Sequence, residues 1–80
     1  MTTNDDRADR AYRTLQRHIE HELGEVFDSQ SVEDLECELA TLLADLRHLA
    51  AEEKADFHRA IALSQAHYNA ETAEEIDRNA

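Results

Sequence analysis

SVEDLECELATLLADLRHLAA, residues 31–51, decides the fold. Within it Val32, Leu35, Leu39, Leu42, Leu43, Leu46, Leu49 and Ala50 recur three or four residues apart. At about 100° per residue they span about 120° of a helix, a width suited to packing against two other helices. Ser31-Val-Glu-Asp34 precedes the run as a capping box, with Asp where Glu or Gln is usual. The spacing predicts a helix over 32–51 and makes it the core helix.

Working backwards, Ala8, Tyr12, Leu15, Ile19 and Leu23 mark one stripe of a first helix over 5–23, capped by Asn4 or Asp5 and stopped by Gly24. Residues 25–30 are then the connector, with Val26 and Phe27 free to fold back onto the core. Working forwards, Glu52, Glu53 and Lys54 form a solvent-facing break. Asp56 caps a third helix over 57–77 whose stripe is Phe57, Ile61, Ser64 and Tyr68, widened by Ala60 and Leu63. Beyond Tyr68 the apolar signal thins to Ala70, Ala73 and Ile76, which predicts a projecting, fraying end. With no Pro, one Gly and few aromatic residues, the expectation is an all-α, single-domain chain over 1–80, a small three-helix bundle. The positions 35, 39, 42, 46 and 49 also read as about two heptads, a seam through which the chain could form a homodimer.

Charge is the second strong signal. Nineteen acidic against eight basic residues leave a formal charge of -11, beyond the magnitude of roughly 2 to 8 that keeps a small domain soluble. It is unevenly spread: residues 1–17 carry four Arg against three Asp, and residues 18–80 carry 16 acids against four bases. Between Glu20 and Glu38 there are eight carboxylates (Glu20, Glu22, Glu25, Asp28, Glu33, Asp34, Glu36, Glu38) and no Lys or Arg. Such a field repels nucleic acid and anionic lipid, and accelerates encounter with basic surfaces. The competing explanation is acidity for solubility or salt adaptation, with Lys54 the sole lysine. No stretch approaches the roughly 20 apolar residues of a membrane span. The opening Met-Thr-Thr-Asn-Asp-Asp lacks the regions of a secretory signal, and the single Cys37 agrees with a reducing compartment, so the host-cell cytoplasm is the expected location.

Catalytic and metal patterns are thin. His18, His21 and Glu22 offer three ligands on one helix, but structural zinc needs more. Asp45 and His48 echo a helical di-iron motif whose second half is missing. Glu33-x-x-Glu36 with Glu74-x-x-Asp77 resembles the magnesium-binding carboxylates of all-helical nucleotide pyrophosphohydrolases, and acids three apart do share a helix face. The gap between the pairs is longer than that family uses. Cys37 sits among Glu33, Glu36 and Glu38, whose charge disfavours a thiolate. Ser29, Ser31 and Ser64 lie in no nucleophile context. The expectation is therefore no cofactor, no metal and no enzymatic activity.

The acidic surface remains. Asp34, Glu38, Asp45 and Glu52 fall on one flank of the second helix, between about -100° and -140° from Leu39, with carboxylates four residues apart about 6 Å apart along the axis. DNA presents a phosphate every 3.4 Å or so per strand. Joined by Glu20, Glu22, Glu25, Asp28, Glu33 and Glu36, such a row matches a phosphate backbone in sign and density. It would face Lys and Arg clusters. Like charges so close cost a helix a few tenths of a kcal/mol per pair, and a merely soluble helix would interleave Lys.

The segment Leu42-Leu-Ala-Asp-Leu-Arg-His48, with Asp56-Phe57 and His67-Tyr68, resembles short helical proteins of bacteriophage and mobile-element gene sets, with Lys54 standing where such proteins would carry Gly. Size, acidity and absence of catalytic motifs make the chain similar to anti-CRISPR inhibitors. That resemblance implies a protein partner with a nucleic-acid-binding surface, such as a type I (Cascade-type) CRISPR complex. The class shares no sequence motif, so no residue role is implied. A small helical adaptor or homodimeric structural protein, and a magnesium-dependent nucleotide pyrophosphohydrolase, are the alternatives.

Overall fold

The computed structural model describes residues 2–79, with side chains through Ile76. Three helices, and no strand among the described residues, make a small all-α bundle: α1 (Asn4–Arg17), α2 (Val32–Glu52) and α3 (Phe57–Asn79). The expected first helix over 5–23 is present in two pieces, since α1 passes at His18–Glu22 into one π-helical turn. Its cap is Thr3, one residue before the expected Asn4 or Asp5. The Thr3 hydroxyl accepts from the Asp6 N–H at 3.1 Å, and the Asp6 carboxylate accepts from the Thr3 N–H at 3.1 Å. This is a two-armed capping box. The Thr3 backbone N–H on the carboxylate, and after it the Thr3 hydroxyl beside it, favour the ionised form and hold the Asp6 pKa below its ordinary value.

The π turn ends at Gly24, whose φ of +66° is the left-handed conformation that glycine adopts without a Cβ penalty. From there the chain returns alongside α1. The Phe27 ring meets Tyr12 edge to face at 5.2 Å, and the Tyr12 and Ser29 hydroxyls share a hydrogen bond of 2.8 Å. Phe27 folds back as its sequence implied. Val26 does not: it is 87% exposed, while Phe27 takes the inward position.

The return loop lets α1 and α2 run in the same general direction. Tyr12 and Leu15 lie beside Leu35 and Leu39, and His18, further along α1, reaches Asp45, further along α2. Ser31 caps α2 as expected, its hydroxyl accepting from the Asp34 N–H at 3.0 Å. At the other end of α2 the Ala55 N–H bonds to the Ala50 carbonyl at 2.8 Å, and the Lys54 N–H to that of Ala51 at 3.3 Å. This is a Schellman closure. Lys54 occupies its left-handed position at φ +57°, where glycine is favoured, so the turn forms cleanly despite the side chain. Asp56 then caps α3 by accepting from the Arg59 N–H at 3.0 Å.

Two further expectations fail. Among the described residues the buried apolar side chains are Leu15 and Ile19, on the first helix and its π turn, and none is on α2. The predicted core helix presents its stripe to helices that cover only part of it, and Leu39, Leu43, Leu46 and Leu49 stay 42–57% exposed. The end of α3 is tied down instead of projecting. Glu75 accepts from the Asn4 backbone N–H at 3.2 Å, the Asn4 side chain donates to the Glu71 carbonyl at 3.3 Å, and Arg7 pairs with Glu71. The free amides and positive dipole of the α1 N-terminus attract these acids, a polar attachment that apolar periodicity cannot register.

Candidate partner-binding surface

The ten carboxylates expected to engage a partner sort into three groups. Glu20, Glu22, Glu25, Asp28, Glu33 and Glu36 are exposed. They follow one another along the π turn, the return loop and the first turns of α2. Two of them engage their own chain at the surface: Glu20 accepts from the Gln16 side chain at 3.2 Å, and Asp28 from the Gln30 N–H at 3.2 Å. Asp34, Glu38 and Asp45 are half-buried. Glu52 is exposed at the far end of α2, about 28 Å along the axis from Glu33 at 1.5 Å per residue.

Half-burial of the second group has a geometric cause. Leu35 and Leu42 share the half-buried side of α2 with Asp34, Glu38 and Asp45, so the flank drawn at about -100° to -140° from Leu39 borders the side turned toward the first helix. Asp45 is the clearest case. Its carboxylate lies 2.7 Å from the His18 Nε2, a hydrogen bond that becomes an ion pair when the imidazole is protonated. Glu33 and Glu36 emerge across the apolar stripe, at about +120° and +60° from Leu39. The acids therefore do not make one straight row down α2; they gather around the loop and the start of that helix.

Sequence periodicity also missed a basic stripe. Arg10, Arg13, Arg17 and His21, all exposed, sit three to four residues apart on the first helix and its π turn. Arg13, Arg17 and His21 line a shallow cleft with Gln16 and Glu20. The visible signal was the near-neutral total of residues 1–17, which averages over a helix whose Asp5, Asp6 and Asp9 lie toward its N-terminus.

One surface concavity is apolar. Between α2 and α3 a groove of about 540 Å³ is lined chiefly by Leu43, Leu46, Leu49, Phe57 and Ile61, with Glu53 and Ser64 its polar residues. Arg47 stands over the outer face of Phe57, 5.8 Å from the ring centroid, a cation–π contact at the groove edge.

Among the described residues no three His, Cys, Asp or Glu side chains converge as a metal site. Glu33 and Glu36 are not part of one, and Asp77, the last member of the pyrophosphohydrolase-like pattern, lies outside the residues whose side chains are described. Cys37 is exposed and forms no disulfide among the described residues. No described helix is long and apolar enough to cross a membrane. No family model, curated protein or solved structure matches the chain.

Proposed function

We propose that this chain is a non-enzymatic inhibitor that seats the acidic surface around its return loop on a Lys- and Arg-rich, nucleic-acid-binding surface of a partner protein, in the manner of an anti-CRISPR acting on a Cascade-type complex. One observation carries the reading: eight carboxylates between residues 20 and 38 without a Lys or Arg among them, six of them exposed at Glu20, Glu22, Glu25, Asp28, Glu33 and Glu36. A surface of that sign draws in a cationic cleft over a Debye length and competes there with phosphates. Asp34 and Glu38 contribute from its margin. Asp45 contributes less, because His18 holds it, and Glu52 lies too far along α2 to join the same contact. No metal or cofactor is needed.

The test is competition with double-stranded target DNA for a purified Cascade-type complex, at low and high salt. Displacement at low salt that weakens as salt rises is the expected result. Joint replacement of Glu22, Glu25, Glu33 and Glu36 by Lys abolishes it. Absence of competition at every salt concentration would overturn the reading.

A further inference from the structure

We propose that the apolar groove between α2 and α3 is covered by the same groove of a second copy of this chain, so that two α2–α3 hairpins pack face to face about a two-fold axis. The accessible area is the first argument. The chain exposes 6619 Å², whereas a compact monomer of its 9.2 kDa exposes about 4,900 Å². Its radius of gyration is 14.7 Å, against about 11.6 Å for a compact domain of 80 residues. The excess, about 1,700 Å², is about twice the 800 Å² or so that each partner contributes to a standard interface.

The excess is apolar where the groove lies. Leu43, Leu46, Leu49 and Ile61 are 42–57% exposed, and on α2 the groove residues Leu43, Leu46 and Ala50 continue from Leu39 at spacings of four, three and four residues. That is the seam of a helix packed against another helix. Two hairpins presenting such seams to each other form a four-helix arrangement with one shared core, and a two-fold contact requires only one self-complementary patch.

The occupant is a second copy because the cover adds to a core that is small on its own. Two buried apolar side chains among the described residues, Leu15 and Ile19, are a small core for a chain of this length, at which association commonly supplies what is missing. Another copy is present wherever the chain is made. A basic partner, by contrast, has little to meet in a groove where Glu53 and Ser64 are the polar residues among leucine, isoleucine, phenylalanine and alanine. This argument is independent of the acidic surface, and the two contacts respond oppositely to salt. Bringing together two chains of charge -11 is helped by screening, whereas attachment to a basic surface is weakened by it.

Sedimentation equilibrium of the full chain, over a range of protein concentrations at low and high salt, tests the proposal. Expected are twice the protomer mass, association that tightens with salt, and a thermal midpoint that rises with protein concentration because dissociation accompanies unfolding. Leu46→Asp should raise the dissociation constant at least tenfold or so, while Glu36→Lys, outside the groove, should leave association intact. A folded monomer at all concentrations, with a concentration-independent midpoint, would overturn the proposal. So would a dimer indifferent to Leu46→Asp. Should Leu46→Asp unfold, the wild-type mass and the concentration dependence of its midpoint decide alone.

Discussion

The junction of α1 with α2 and the wedge between α2 and α3 are built from the same kind of pattern, apolar residues three and four apart, yet they end differently. At the first junction Leu15 and Ile19 are 2% and 1% exposed. At the wedge Leu46 and Ile61 keep 42% and 46%. The first junction is closed by more than apolar contact: the return loop lays Phe27 against Tyr12, and His18 bridges to Asp45. The wedge has a short turn at its apex and the Arg47–Phe57 contact at its edge. Periodicity thus identifies which side of a helix avoids water, while the polar ties and loops around it decide whether this chain or another molecule covers that side.

The sharpest way to break the comparison is to remove one apolar side chain from each region. Ile19→Ala should cost about 2–5 kcal/mol in urea unfolding, because it opens a cavity in the one closed part of the fold. Leu49→Ala, 57% exposed, should cost under about 1 kcal/mol when measured at protein concentrations low enough to keep the chain monomeric. Equal losses would mean that the two regions are not distinct. A smaller effect is expected from His18→Ala, which removes the bridge to Asp45: about 1 kcal/mol by the same measurement, reduced by the exposure of the carboxylate.

Lys54→Gly sharpens the wedge from the opposite direction. A non-glycine residue in the left-handed region costs about 1 kcal/mol, so this variant should be more stable by about that amount, with an unchanged denaturant slope. The smallest effect is at Asp6. Its pKa is depressed in the folded chain, so its contribution is present above the ordinary carboxylate pKa and fades as pH falls through the lower folded value. The stability difference between wild type and Asp6→Ala should accordingly shrink in acid. A difference that grows there would contradict the capping role.

The helices were readable from local chemistry because each depends on residues a few positions apart: Ser31 on Asp34, Asp56 on Arg59, and Gly24 at its turn. The shift of the first cap to Thr3 is a contest among neighbouring polar residues, decided by which hydroxyl and carboxylate can reciprocate. Contacts between residues far apart in the chain left no such trace. His18 with Asp45 and Asn4 with Glu75 pair groups that look like ordinary surface residues in sequence. The acidic surface was readable as a total of charge but not as a shape: Asp34, Glu38 and Asp45 border the side of α2 that packs, and only the position of α1 reveals it. The exposure of the α2 stripe was likewise hidden, since a width of about 120° states what a helix can cover, not what is there to cover it.

The tie between the first turn of α1 and the last turns of α3 has a consequence for how the chain is made. The Asn4 amide finds the Glu75 carboxylate across nearly the whole sequence, so the start of the first helix waits for its partner while residues 5–70 are being synthesised. Until Glu71 and Glu75 leave the ribosome, local contacts secure that end: the Thr3–Asp6 capping box and the bond that Arg7 donates to the Asn4 side-chain oxygen.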